Sequence, residues 1–253
     1  MSRARLVRAN NPSPMTLDGT NTWVLKETDD GRAVVVDPGP LDPEHFRAIL
    51  EVAGGVGLVL LTHGHPDHAE GANEFARLAD APIRAIAEGL CSKARPLRDN
   101  EEIDLDDLNV GVVATPGHSA DSACFVLPAD GALLTGDTIL GRGSTVVAHP
   151  DGKLADYLET LRKLRTLVNA HGVRVVLPGH GPTRDDPAGL IDGYAKHRQE
   201  RLAQVRAAIA NGARSADEVV DVVYKDVDDN VKFAARWLVL AQLEYLGVTS
   251  PGE

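Results

Sequence analysis

The chain reads as a mixed α/β (α+β) protein in which strand-rich and helical stretches alternate, and three observations carry that reading. Short runs rich in Val, Leu and Ile, bounded by Gly and Pro, have the length and composition of buried strands. Four such runs, at 56–61, 110–114, 132–134 and 173–177, are followed within a few residues by His63, His118, Asp137 and His180 respectively. Leu154, Tyr157, Leu158, Leu161, Leu164 and Leu167 recur at helical spacing, which predicts an amphipathic helix over 151–170. Strands whose ends all carry His or Asp are expected to line up along one sheet edge and assemble one polar site there.

The remaining elements follow in order. Residues 22–26 and 33–36 are strand candidates, and the second runs into the turn Asp37-Pro38-Gly39, where Asp37 is expected to support the site loop rather than bind a metal. Residues 43–53 place Phe46, Ile49 and Leu50 on one helical face, and 69–79 is expected as a second short helix. The last sixty or so residues change character. Residues 189–210 read as a helix leaving the main body. Ser215-Ala216-Asp217-Glu218 has the capping-box pattern that opens another, and 231–246 is a third, stopped by Gly247. The boundary is therefore expected between a first domain at 1–187 and a C-terminal helical, winged-helix-like domain at 188–253. The six residues after Gly247 leave no room for a full β-wing, and a helical cap on the main body or on a second subunit, as in a homodimer, is the alternative. Trp237, Leu238, Leu240 and Leu243 are expected to fill the core of this tail.

The densest chemistry lies in Thr62-His63-Gly64-His65-Pro66-Asp67-His68. Neutral imidazole and carboxylate are the ligands that Zn²⁺ takes most readily in hydrolytic sites. His63 and His65 alternate about Gly64 and can point the same way from an extended segment, while Asp67 and His68 follow the turn forced by Pro66. Together with His118, Asp137 and His180 this makes five imidazoles and two carboxylates, more than one tetrahedral ion uses. The set suits two ions sharing a carboxylate bridge and a bridging hydroxide. His45, His149, His171 and His197 stand outside these motifs and are expected in ordinary histidine roles.

The pattern His63-x-His65-x-Asp67-His68, then His118 in Thr-Pro-Gly-His-Ser, Asp137 in Thr-Gly-Asp-Thr and His180 in Leu-Pro-Gly-His-Gly, resembles the metallo-β-lactamase superfamily in every ligand position and in order. The resemblance implies a four-layer αββα sandwich. It also implies that His63, His65 and His118 hold one ion, that Asp67, His68 and His180 hold the other, and that Asp137 bridges them. With Asn11-Pro12-Ser13-Pro14-Met15-Thr16, Gly19-Thr20-Asn21-Thr22 and Leu177-Pro178-Gly179-His180-Gly181-Pro182, the whole chain is most similar to the β-lactamase-like protein 2 group, some of whose members cleave single-stranded RNA. Ser13 departs from the Asn-Pro-Gly-Pro opening commoner in that group.

The expected chemistry is hydrolysis. Two Zn²⁺ ions bring a bridging water to a pKa of about 7, the hydroxide attacks a carbonyl or a phosphorus, and Asp67, the catalytic acid of the set, orients the nucleophile and carries its proton to the leaving group. The commonest zinc β-lactamases carry Cys where Asp137 stands, which argues against drug hydrolysis as the main role. Flavodiiron oxidoreductases carry Glu in place of His65. The stretch 138–179 is too short for the nuclease insertion of larger RNA-processing relatives. Three activities remain: an endoribonuclease on single-stranded RNA, a glyoxalase II-like thioester or ester hydrolase, and a mononuclear-iron persulfide dioxygenase.

A net charge of −11 argues against a protein wrapped in nucleic acid. The basic residues Arg184, Lys196, Arg198, Arg201, Arg206 and Arg214 read as a solvated helix face of mixed charge. If RNA is bound, Arg198 and Arg201 are the expected contacts. No run of apolar residues is long enough for a membrane helix, no apolar signal segment follows Met1-Ser2-Arg3-Ala4-Arg5, and Cys91 and Cys124 are expected as free thiols; a cytoplasmic enzyme without membrane partners is the expectation.

Overall fold

Sequence patterning and architecture meet first in the central strands, which are apolar on successive residues because both their faces are covered. The computed structural model describes residues 3–225 and 232–248. The first sheet has the order β1 (Ala4–Arg8), β2 (Asn21–Leu25), β3 (Ala33–Val36), β4 (Val56–Leu60), β5 (Ile83–Arg84), antiparallel as far as β3 and parallel beyond it. The second runs β11 (Arg184–Asp185), β10 (Val175–Pro178), β9 (Ala132–Gly136), β8 (Ala123–Leu127), β7 (Leu108–Ala114), β6 (Glu102–Leu105). Its β6 to β9 part is a meander, and the parallel β9–β10 pair is joined through helix α4 (Leu154–Ala170).

Alternation assigns each strand residue to one of two cores. Val34, Val36, Leu58 and Leu60 face Val110, Val112, Phe125 and Leu134 between the sheets. Their neighbours Val35 and Val59 face outward onto Phe46 and Ile49 of α1 (Pro43–Ala53) and Phe75 of α3 (Ala72–Ala79). On the other side Val113, Val126 and Leu133 meet Tyr157, Leu161 and Leu164 of α4 and Ile191 of α5 (Pro187–Ala210). The result is the four-layer αββα sandwich.

Several elements depart from expectation for local reasons. The helix expected over 69–79 is broken into α2 (Pro66–Ala69) and α3, because the backbone at the break bonds elsewhere: Gly71 N–H donates to Gly39 O at 3.0 Å and Gly39 N–H to His68 O at 3.1 Å. Gly71 is required there, since a Cβ would stand 2.6 Å from Phe46 Cζ. Helix α4 starts at Leu154 rather than Asp151, leaving Asp151 free to turn toward the metal loop.

Helix α5 serves two cores. Ile191, Tyr194 and Leu202 pack in the sandwich, while Val205 and Ala208 pack with Val219 of α6 (Ala216–Val223) and Leu240 and Leu243 of α7 (Lys232–Tyr245). Ser215 Oγ accepts from Glu218 N–H as a cap, but the Glu218 carboxylate turns to Arg214 N–H, so the capping box is half formed. Val231, the expected first residue of the third tail helix, lies outside the described residues. Leu238, Leu240 and Leu243 pack as expected, whereas Trp237 is 42% exposed, because α7 turns that position away from the α5–α6 contact. Among the described residues no strand follows β11, and no helix is long and apolar enough to cross a membrane.

The outer α1–α3 layer is pinned by the edge-to-face pair Phe46 and Phe75, centroids 5.6 Å apart. Truncating the fully buried Phe75 to Ala is expected to lower unfolding stability by about 3–5 kcal/mol, read from chemical denaturation.

Candidate metal centre

The seven His and Asp side chains come from two sheet edges, not one, which corrects the expectation of a single edge. Strand β4 of the first sheet delivers the loop with His63, His65, Asp67 and His68; β7, β9 and β10 of the second deliver His118, Asp137 and His180. The reason is topological: β4 pairs with β3 and β5, so its C-terminal end meets those of β9 and β10 only across the sandwich. The two edges are stitched there by backbone and amide contacts. Ala123 N–H donates to Thr62 O at 2.7 Å, Asn21 N–H to Gly179 O at 2.8 Å, and Asn21 Nδ2 to the carbonyls of Pro178 and Gly181 at 2.9 and 2.8 Å.

All seven side chains converge. Three triads each have donor atoms within 4.8 Å of one another: His63, His65 and His118; His63, His68 and Asp137; Asp67, His68 and His180. In every imidazole one nitrogen is committed outward, which fixes what the other presents. His68 Nδ1–H donates to Asp37 Oδ2 at 2.9 Å, His118 Nδ1–H to Val146 O at 2.6 Å, and His180 Nδ1–H to Gly19 O at 3.3 Å. Thr62 Oγ1 spends its proton on Asp37 Oδ2 at 2.6 Å and so accepts from His63 Nδ1 at 3.0 Å. His65 is reversed: its Nε2–H points to Asp151 Oδ2 at 3.3 Å, so Nδ1 faces inward.

The inward nitrogens are therefore lone pairs, and they lie close: His63 Nε2 to His65 Nδ1 3.1 Å, His65 Nδ1 to His118 Nε2 3.0 Å, His68 Nε2 to His180 Nε2 3.1 Å. Lone pairs facing at such distances repel unless a cation lies among them, and ligands on one tetrahedral zinc stand about 3.3 Å apart. Asp137 Oδ1 is buried without a hydrogen-bond partner, 3.4 Å from His180 Nε2 and 3.5 Å from His68 Nε2. The backbone of Gly179 closes over it, since a Cβ there would stand 2.7 Å from Asp137 Oδ1. Donor chemistry, tautomers and the orphaned carboxylate oxygen all fit bound divalent metal.

At His68 and His180 protons and a metal compete for the same inward nitrogens. Burial opposes charge on Asp137, but His180 and His68 outweigh it and hold the carboxyl well below the usual carboxylate range. Burial is outweighed at His180 too, which Asp137 and Asp67 push up to about 9, and at His68, raised by Asp137 and Asp37. His63, with burial and imidazole neighbours dominating, is pushed well below its ordinary value. Asp67 is also lowered, His180 and His68 outweighing its burial.

Asp37 supports the site as expected, gripping Thr62 N–H at 2.7 Å, Thr62 Oγ1 and His68. Asp151 and the Val146 and Gly19 carbonyls were not legible as supports, since no local motif marks them. Of the other histidines, His45 Nε2 is 2.8 Å from Thr22 Oγ1 and His149 Nε2 is 3.9 Å from Glu244; neither joins a ligand triad. Cys91 and Cys124 are free thiols, Cys124 buried and pushed up to about 11 by burial. Of the two arginines expected to contact any bound RNA, Arg198 is buried and Arg201 half-buried. Arg198 is 2% exposed beneath the 141–149 loop, and Arg201 bonds the Val223 carbonyl at 3.1 Å while lying over the Tyr224 ring. Helical periodicity turns Arg198 inward where α5 packs, whereas Arg201 borders a surface cavity with Gln204 and Asp221.

Residues 15–180 match the family model described as the metallo-beta-lactamase superfamily. A Drosophila melanogaster protein named beta-lactamase-like protein 2 homolog is 32% identical, over 94% of this chain and 86% of its own length. An atrochrysone carboxyl ACP thioesterase of Aspergillus novofumigatus is 29% identical, over 90% of this chain and 73% of its own. The crystal structure of a beta-lactamase domain protein from Burkholderia ambifaria superposes with a TM-score of 0.81 at 28% identity, covering 97% of this chain and 86% of that one.

Asp37→Asn keeps the shape of the Asp37 side chain but weakens its grip on Thr62 and His68. It is expected to lower divalent-metal affinity about 10–100-fold, measured by competition with a chromophoric chelator.

Proposed function

The chain belongs to the metallo-β-lactamase superfamily, and we propose that this hydrolase holds two Zn²⁺ ions and cleaves neutral acyl substrates, thioesters or esters, with Asp67 as its proton carrier. In this reading His63, His65 and His118 hold one ion, Asp67, His68 and His180 the other, and Asp137 is shared. Five imidazoles, two carboxylates and no thiolate suit zinc and also iron. The ions, when bound, supply Lewis acidity and bring water toward a pKa of about 7.

The observation that carries the proton role is the position of Asp67. Its Oδ2 lies 3.0 Å from His180 Nε2 and its side chain is 29% exposed, the most open of the two carboxylates. From that open edge the carboxylate can accept a proton from a nucleophile and return it to a leaving thiol or alcohol. Asp137, deeper and enclosed by His68, His180 and Gly179, is placed to hold charge rather than to exchange protons.

Substrate class is argued from the rim. Leu90 and Asp121 flank Gly64 between the two loop histidines, Leu17 packs against Gly181 after His180, and Asp151 stands beside His65. Apolar side chains and carboxylates favour a neutral acyl group over a polyanion. The arginines that would have welcomed RNA are committed to the tail and the 141–149 loop. The thioesterase relative supports the same choice. Single-stranded RNA is the second reading, favoured by similarity to the β-lactamase-like protein 2 homolog along almost the whole chain, tail included.

Two zinc ions per chain are expected from elemental analysis of protein purified without added metal; one iron per chain would instead favour the oxidative reading. Against a panel of acyl thioesters and a labelled single-stranded RNA, turnover is expected on a thioester, with Asp67→Asn binding substrate but losing about 10²–10⁴-fold in kcat. RNA cleavage by the wild type and not by the variant, with an inert thioester panel, would replace the first reading by the second.

A further inference from the structure

Resting on the metal centre described above, we propose that Arg198 is a positioning residue for that centre: its buried guanidinium sets the loop that aims His118 and Asp137. Arg198 is 2% exposed. One of its terminal nitrogens, Nη2, donates to Ser144 Oγ at 2.8 Å and to the Thr145 carbonyl, and its Cζ lies 5.3 Å from the centroid of the Tyr157 ring. Its Nε is buried without an acceptor, and no carboxylate pairs with it among the described residues. A buried cation held this way is a poor source of stability, because desolvation offsets what the hydrogen bonds and the ring return.

What the guanidinium touches leads directly to two of the seven donors. Thr145 Oγ1 donates to the carbonyls of Asp137 and Thr138, at 2.8 and 3.1 Å, and Tyr157 Oη donates to the Thr138 carbonyl at 2.7 Å. The next residue, Val146, supplies the carbonyl that takes His118 Nδ1–H. Tyr157 also backs Gly117, the residue before His118, so closely that a Cβ on Gly117 would stand 2.4 Å from Tyr157 Cα.

Ile139 and Val147 anchor the two ends of this segment in the core, but packing does not reach its tip. The loop tip, Arg142 to Ser144, is exposed, and Gly143 and Ser144 border a cavity of about 690 Å³ shared with Tyr194 and His197 on α5. With space on one side, the loop is held by directed contacts from the other. The outward nitrogens of His68 and His180 are held by Asp37 and Gly19 instead, and the loop touches this group through its first residue, Gly141, whose N–H donates to the His180 carbonyl at 2.9 Å.

Because His118 serves one ion alone and Asp137 serves both, the proposal is testable by asymmetry. In Arg198→Met, which keeps volume and removes the guanidinium, zinc titration against a chelator is expected to show the ion held with His118 weakened about 10–100-fold and the other, which shares only Asp137 with it, weakened distinctly less. Arg198→Lys keeps the charge without the planar fork and is expected to weaken the same ion. In metal-free protein, long-range ¹⁵N–¹H spectra are expected to show His118 as a slowly exchanging Nδ1–H tautomer in the wild type and a mixed tautomer in Arg198→Met. Equal weakening of both ions, no weakening, or an unchanged His118 tautomer overturns the proposal. Should Arg198→Met fail to fold, Thr145→Val, which frees the Asp137 carbonyl while leaving Arg198 in place, must show the same asymmetry. A wild type that binds no zinc defeats the metal reading alone, since the tautomer comparison is made without metal.

Discussion

Seven donors held with their lone pairs facing one another form a repulsive arrangement, and the rest of the structure serves to sustain it. Each imidazole is locked by an acceptor on its far nitrogen, so none can turn away or change tautomer without leaving a polar group unpaired. Those acceptors are drawn from everywhere: a carboxylate after β3, another before α4, and carbonyls at Gly19 and Val146. The cost of such a site is met by the hydrophobic layers, which bury both faces of both sheets.

The sandwich also explains how the donors meet. One sheet supplies the four-ligand loop and the other supplies three single ligands, so the centre forms only where the two edges are stitched by Asn21, Thr62, Ala123 and Gly179. The Gly19-Thr20-Asn21-Thr22 and Pro178-Gly179-His180 motifs have this joining task rather than a chemical one. Gly179 admits no side chain because Asp137 and His68 already occupy the space.

A similar economy governs the basic residues. The basic residues of this helix read from the sequence as a solvated face of mixed charge, yet α5 buries Arg198 against the 141–149 loop and Tyr157 and bonds Arg201 to the Val223 carbonyl. A cation stacked on a buried tyrosine, with no carboxylate paired to it among the described residues, is tolerated where geometry matters more than stability. Here it stands behind the loop that follows Asp137.

The sequence by itself determined the strands that lead into the site, the main helices and all seven candidate ligands, because periodicity and short ligand spacings are local properties written in consecutive residues, while the αββα class followed from the family resemblance those ligands carry. Asp37 was legible as a support for the same reason, lying in a turn directly after a strand. Tertiary structure alone decided that the ligands divide between two sheet edges, that Asp151 and the Val146 carbonyl lock His65 and His118, and that helix 69–79 breaks at Gly71. It also decided that Trp237 is exposed while Arg198 is buried. Those outcomes depend on which distant segment covers a given face, and helical or strand periodicity names a buried side without naming its neighbour.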